Sequence, residues 1–437
     1  MRGSSRWMIL IAVLAVALAG CGGTTSAVRR QPTPAAGQPT ATGTRAAATA
    51  TPAAPSNTVY YLAQNPTSPD DGTVVALNVS DGSVRWKFDA KRVVPPVAGV
   101  GVVYVKTVPS GLYALEGATG AVRWQCACDG VPVAGDGVVY AAIDGHLAAL
   151  DSATGRVRWE QTIVFGHLTV TPNTLYVRVT PITGTGAPVS STLYALDPAT
   201  GTIRWSFART GEGFNPPFSA NGTVYFGSHL TVSDPSSPPQ SRLYALDDAT
   251  GALRWSASTS LENDDGVTVA NGLVYLKAVD AIFSFHSANG TQAWKRPETL
   301  MGRYTVAGDT IYLNTFRSQV EAINAVTGSL LWAMPLNASY VPIADGGRIY
   351  YTTRSGLVAL DTTGKRLWGM NTVAGEGFPA LTGHVIYDFD VQPTDPTNPA
   401  NNPTPYIYAV DATTGAVLWK QAAGSDIVGL LVVDATA

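Results

Sequence analysis

Short apolar runs recur along this chain with a fixed phase, each broken by a small polar cluster. Leu193-Tyr-Ala-Leu196 is followed by Asp-Pro-Ala-Thr-Gly201 and then Thr-Ile-Arg-Trp205. Leu243-Tyr-Ala-Leu246 is followed by Asp-Asp-Ala-Thr-Gly251 and then Ala-Leu-Arg-Trp255. Runs this brief, rich in β-branched and aromatic residues and punctuated by Asp and Gly, predict strands joined as hairpins. The Asp side chain accepts from turn N–H groups, and the Gly supplies the positive φ the turn requires. Upstream of each hairpin sits another strand ending in an aromatic, as in Gly101-Val-Val-Tyr104, Gly137-Val-Val-Tyr140, Gly222-Thr-Val-Tyr225 and Gly272-Leu-Val-Tyr275. Ahead of that lies a short strand led by Pro or Val, such as Pro96-Val-Ala or Pro132-Val-Ala.

The unit therefore has four strands, and its copies are counted by tryptophan: Trp86, Trp124, Trp159, Trp205, Trp255, Trp294, Trp332, Trp368 and Trp419. Their spacing is that of a four-stranded propeller blade. Glycine holds the turn position in every copy, whereas the Asp becomes Asn78, Glu116, His286 or Asn324 in four. The pattern predicts an all-β fold: a single β-propeller of four-stranded antiparallel blades, nine by repeat count, with eight the alternative. A β-sandwich gives no reason for a Trp at one repeat position. The first copy begins at Thr58-Val-Tyr-Tyr-Leu without an inner strand, and Ile427–Val433 is expected to supply it, removing the open sheet edge. The propeller is expected over residues 57–437.

The repeat Ala-Leu-Asp-x-x-Thr-Gly with a Trp four residues on resembles the pyrroloquinoline-quinone-type propeller repeat. That repeat occurs in quinoprotein dehydrogenases and in the propeller lipoprotein of the outer-membrane β-barrel assembly machine. The resemblance covers residues 58 to 437 and is specific for fold, not for function. Propellers of this type usually have eight blades.

The start of the chain reads as a targeting segment. Arg2 and Arg6 precede an uncharged run from Trp7 to Ala19, too short to span a bilayer comfortably. It ends in Leu18-Ala19-Gly20-Cys21, which resembles the lipobox of bacterial lipoproteins; the resemblance implies a signal peptide over 1–20 and lipidation of Cys21. Residues 21–56 are dominated by Thr, Pro, Ala and Gly, a composition that cannot bury enough apolar surface to offset its conformational entropy, so they are read as a disordered tether. The expected location is outside the cytoplasm, lipid-anchored to a bacterial membrane. The long tether looks more like that of a cell-surface protein than of a periplasmic one.

With a formal net charge of −3, the chain does not suit nucleic acid. The chemistry of an enzyme is hard to assemble. His146, His167, His229, His286 and His384 fall in five different units, and no nucleophile elbow, P-loop or His-Glu-x-x-His is present. The resemblance would imply, for a quinone enzyme, adjacent cysteines in a disulfide, a calcium and an Asp base. Here Cys126 and Cys128 are separated by Ala127. No cofactor is expected, pyrroloquinoline quinone included, and no metal, because a lone Cys-x-Cys lacks further ligands. Two residues apart on a strand, the pair stands at about 6.5 to 7 Å between Cα atoms, the outer limit for a disulfide, so a bridge and two free thiols both remain open.

The expected function is a membrane-anchored, non-catalytic binding or scaffolding propeller, monomeric, that recognises a protein, peptide or polar ligand. The alternative is a quinone-dependent oxidoreductase or other enzyme using the central mouth. With strands lettered A to D from the axis outward, the short Thr-Gly turns are C–D. The long insertions, Gln64 to Asp71, Thr180 to Ser191, Ser228 to Gln240 and Val391 to Pro405, are all B–C. B–C and D–A connections leave on one face. Aligning the units on their B-strand aromatics places Asp129, His167, Asn215, Asp264, Asp265, Arg303, Tyr340 and Glu376 around the mouth of that face. Gly211-Glu-Gly-Phe214 and Gly375-Glu-Gly-Phe378 repeat one another there.

Overall fold

The computed structural model describes residues 58–433, except 66–67, 92, 109–110, 165, 181–189, 231–240, 260–265, 279–280, 298–303, 316–317, 339–340, 354–355, 371–378, 393–403 and 424–425. The described residues are strands and turns, arranged as a β-propeller. Unit 4 shows the pattern: strand A at His167–Val170, B at Leu175–Val179, C at Ser190–Leu196 and D at Ile203–Thr210, each antiparallel to the next. Counted this way, the strands among the described residues make nine four-stranded units and one extra strand, Glu212–Phe214, which fuses units 4 and 5 into a nine-stranded sheet.

Unit 1 is assembled from both ends of the fold. Strand B is Thr58–Asn65, C is Ser68–Asn78 and D is Val84–Lys91, while A is Asp426–Val433, paired in register from Thr58↔Val433 to Gln64↔Asp426 with one irregularity. The inner strand comes from the C-terminal segment, as the repeat arithmetic requires.

The Trp positions explain why the units pack in sequence. Each indole N–H donates to a carbonyl in the C–D turn of the next unit: Trp86 to Gly117, Trp124 to Ser152, Trp159 to Pro198, Trp205 to Asp248 and Trp255 to Ser287. Trp294 to Ala325, Trp332 to Thr362 and Trp368 to Ala412 continue the series, and Trp419 returns to Val79 of unit 1. The turn glycine of that next unit lies flat under the ring. Gly251 has φ +69°, and a Cβ there would stand 2.6 Å from the Trp205 ring. Both the left-handed backbone and the close approach therefore exclude a side chain, which is why the glycine varies less than the Asp beside it.

That Asp performs the expected turn chemistry. In unit 4, Asp197 Oδ1 accepts from the N–H groups of Ala199 and Thr200, while Oδ2 accepts from Arg204 at 2.6 Å. Asn324 accepts from the N–H groups of Val326 and Thr327 in the same way, so the amide replaces the carboxylate without loss of the cap. Between the sheets lies the core of aliphatic residues and B-strand tyrosines. Seven of the nine repeat tryptophans are buried, and Trp332 and Trp368 are partly exposed.

The insertions are shorter as loops than their sequence suggested. In unit 1 the pairs Gln64↔Gly72 and Asn65↔Ser68 carry the hairpin through Gln64 to Asp71 and leave only residues 66–67 between strands. Backbone pairing has overridden turn-like composition there. In unit 4 residues 181–189 separate B from C; in unit 5, residues 231–240; in unit 9, between Val385–Gln392 and Thr404–Asp411, residues 393–403. All four join strands B and C.

Candidate functional site

Strand direction fixes which residues meet at the face where B strands end and A strands begin. The B strand of each unit ends two to five residues beyond its aromatic, and position plus two carries a cation in three units: Lys106, Arg178 and Lys277. Lys106 is 5% exposed, yet its Nζ reaches the Thr107 carbonyl at 2.9 Å and Asp129 at 3.3 Å. Asp129 begins strand A of unit 3, so this pair ties unit 2 to unit 3 at the mouth. Arg296 and Glu321 tie unit 6 to unit 7 at 2.7 Å with both side chains largely buried. The Arg296–Glu321 pair fixes register and orientation more than it adds stability, because desolvation offsets most of its attraction.

The densest chemistry lies between units 4 and 5. The extra strand Glu212–Phe214 runs parallel to strand C of unit 4 at Ser190 and antiparallel to strand B of unit 5, Thr223–Leu230. Phe214 is fully buried among Phe207, Phe226 and Tyr244. Gly213 is bare because a Cβ would stand 2.4 Å from His229 Nε2. The Glu212 carboxylate accepts from Ser228 Oγ at 2.6 Å and from the Tyr244 hydroxyl at 2.9 Å. Burial, and then the Glu212 carboxylate, push the Tyr244 phenol up to about 12. Arg178 donates through Nη1 to the Phe214 carbonyl, and burial lowers its pKa. His167, its partner across the A–B ladder, keeps an exposed surface, and its pKa is lowered from the usual imidazole value by the partial desolvation of its ring and then by the Arg178 charge. That His is neutral at pH 7 and can donate or accept.

Three of the eight residues expected at the mouth are described: Asp129 and His167 at the starts of their A strands, and Asn215 just ahead of Phe218–Ala220. Asp129 and His167 are exposed, and Asn215 is buried, its N–H held by the Gly227 carbonyl at 2.9 Å. Asp264, Asp265, Arg303, Tyr340 and Glu376 lie outside the described residues, as do Gly375 to Phe378. The sequence reading overlooked Lys106, Arg178 and Glu212. The signal existed for the first two: a cation two residues past the B-strand tyrosine, where other units carry Leu62, Ala142 or Phe389.

Cys126 and Cys128 form a disulfide with Cα atoms 5.2 Å apart. That is closer than strand spacing allows because strand D of unit 2 ends at Cys126 and the chain turns inward to reach Asp129. The bridged cysteines are not adjacent in sequence, so they do not fit the disulfide that the resemblance would require beside a quinone. Among the described residues no group of three or more His, Cys, Asp or Glu converges as metal ligands would. A shallow cavity of about 370 Å³ opens on the opposite, C–D face between units 7 and 8, lined by Tyr312, Asp345, Arg348 and turn glycines.

No curated protein matches the chain. Among solved structures, BamB from Moraxella catarrhalis aligns at 19% identity over 73% of this chain and 91% of its own, with a TM-score of 0.44. A europium-containing methanol dehydrogenase aligns at 15% identity over 76% of this chain and 78% of its own, TM-score 0.43. A eukaryotic initiation factor aligns at 10% identity over 86% and 98%, TM-score 0.59, a likeness of fold alone. The family described as outer membrane protein assembly factor BamB matches residues 70–186, 144–236 and 189–421. Those matches overlap to cover most of the propeller, and the chain belongs to the outer membrane protein assembly factor BamB family.

Proposed function

We propose that this protein is an extracytoplasmic lipoprotein, acylated at Cys21, whose propeller is a non-catalytic scaffold that captures an extended segment of a protein partner on the B–C face. The observation that carries the reading is that the long connections, 180–189, 231–240 and 393–403 between strands B and C and 370–379 between strand D of unit 8 and strand A of unit 9, all leave the ring on one face. Irregular segments gathered on one face of a rigid ring are where recognition residues concentrate. Membership in a family named for outer membrane protein assembly supports a protein partner and a place in the cell envelope.

The distribution around the ring narrows the kind of partner. The longer insertions belong to units 4, 5 and 9, and unit 9 adjoins unit 1. Their attachment points form two clusters on the ring, separated by units whose strands B and C are joined by short connections, among them unit 3, whose strand A begins at Asp129. Two separate attachment clusters suit an extended segment that contacts both better than a compact domain.

Replacing residues 231–240 and 393–403 by short turns is expected to abolish partner crosslinking in cells while leaving the melting temperature within a few degrees, since surface loops add little to the core. Full crosslinking by the shortened protein would refute the reading. So would dye reduction by the purified protein on addition of pyrroloquinoline quinone and calcium.

A further inference from the structure

The nine units share one backbone but not one outer surface. At the position before the repeat Trp, units 1 to 5 carry Arg85, Arg123, Arg158, Arg204 and Arg254, whereas units 7 to 9 carry Leu331, Leu367 and Leu418. The arginines of units 2 to 5 are held in ion pairs with Glu116, Asp151, Asp197 and Asp247 at the C–D turn. The leucines stand open, between 44% and 53% exposed, whereas the apolar residue two before the Trp is exposed in both arcs, as at Val122, Leu253, Leu330 and Val417, so that only the position before the Trp tells the arcs apart. Next to the leucines Trp332 and Trp368 are the two repeat tryptophans left partly uncovered. At this position one arc of the rim thus carries arginines, ion-paired in units 2 to 5, and the other carries open leucines, with the exposed Lys365 and Arg366 beside Leu367.

The place where the preceding chain joins the ring says what covers that arc. Thr58 pairs with Asn78, which opens the C–D turn of unit 1, so residues before Thr58 reach the propeller on the C–D face. Unit 1 adjoins unit 9 there, through Trp419 and Val79. The entry point therefore lies on the same face as the leucines, next to Arg85 and in the unit adjoining the one that carries Val417 and Leu418. A coil with the composition of residues 22–57 spans on the order of 35 Å, which keeps this face at an effective concentration near millimolar at any surface holding Cys21.

We propose that the C–D rim of units 7 to 9 rests on the lipid surface to which Cys21 is anchored, turning the B–C face outward toward its partner. Leucines enter the interfacial region readily, whereas the ion pairs of units 2 to 5 would have to shed their hydration. Apolar points repeated along a rim, one unit apart, match a fluid surface and not a shaped groove. The proposal rests on the reading of Cys21 as the anchor.

The test separates docking from anchoring. A chain beginning at Cys21 keeps the whole described ring, and its thiol can be coupled to a maleimide lipid in phosphatidylcholine vesicles, since Cys126 and Cys128 are bonded to each other. Brominated phosphatidylcholine should then quench tryptophan emission, and the variant Leu331→Gln/Leu367→Gln/Leu418→Gln should lose about half or more of that quenching at unchanged melting temperature. Equal quenching in both proteins, or none in the parent, overturns the proposal. A dimer seen by sedimentation without vesicles and abolished in the triple variant would assign the arc to a second copy and overturn it as well. Flotation of the natural chain with membranes, compared with Cys21→Ser, reports on the anchor independently.

Discussion

At the scale of single residues, the repeat is a contact between a ring and a bare backbone. Trp205 is 7% exposed, and its removal leaves a cavity between units 4 and 5 as well as an unpaired Asp248 carbonyl. Trp205→Ala is expected to cost about 3 to 5 kcal/mol in denaturant unfolding, the scale of large-to-small core changes. Gly251→Ala tests the other half of the contact. Alanine there must take a left-handed backbone and move the indole, so a loss of at least about 1 to 3 kcal/mol is expected. The carboxylates at the turns give a pH signature. Hydrogen bonds from Arg158 and Thr154 hold Asp151 at about 2, and those from Arg254 and Thr250 hold Asp247 there too. Because the folded pKa is depressed, their contribution is present above the unfolded carboxylate value and fades as pH falls toward 2. Asp151→Asn with Asp247→Asn should flatten the acid limb of the melting-temperature profile; an unchanged limb would place these carboxylates outside the acid response. On the alkaline side, burial raises Tyr61 and Tyr104 to about 12. Their contribution is intact below about 10 and declines as pH rises toward 12, as the unfolded chain ionises first.

At the scale of elements, alternation, turn chemistry and one Trp per copy made nearly every strand legible, because each of these signals is local. Ile427–Val433 could be assigned to unit 1 since the first copy lacked an inner strand, a deficit visible in the count. The strand Glu212–Phe214 was legible only as a repeated tetrapeptide. Its partners, Ser190 and Ser228–Leu230, come from different units, and nothing local to Gly211-Glu-Gly-Phe214 specifies a wedge between two sheets. Phe214→Ala should cost about 3 to 5 kcal/mol, the range for a buried Phe. Hydrogen exchange should rise first in Ser190–Leu196 and Thr223–Leu230, and uniform loss of protection around the ring would contradict a local wedge. Gln64 to Asp71 failed in the opposite direction: a Pro- and Asp-rich stretch looked like a loop, but pairing with the flanking strand ran through it. The chemistry of the face where B strands end was not legible. Lys106 and Arg178 sit in apolar strands, where a cation is a signal, but their partners come from neighbouring units.

At the scale of the whole molecule, the account joins three directions that the topology holds apart. Insertions of units 4, 5 and 9 leave on the B–C face, the preceding chain enters on the C–D face, and the apolar arc lies on the C–D rim. Together they support the proposal of a ring seated on a membrane with its recognition face turned away. The central claim, that a protein partner binds on the B–C face, is tested most directly by site-specific photocrosslinking in cells from single positions on each face. Crosslinkers at Asp129, His167 and Thr180 should all yield the same discrete protein adduct, and crosslinkers at Thr200 and Thr250, in the C–D turns, should not. An adduct formed only from Thr200 and Thr250, or no adduct from any position, would contradict the account.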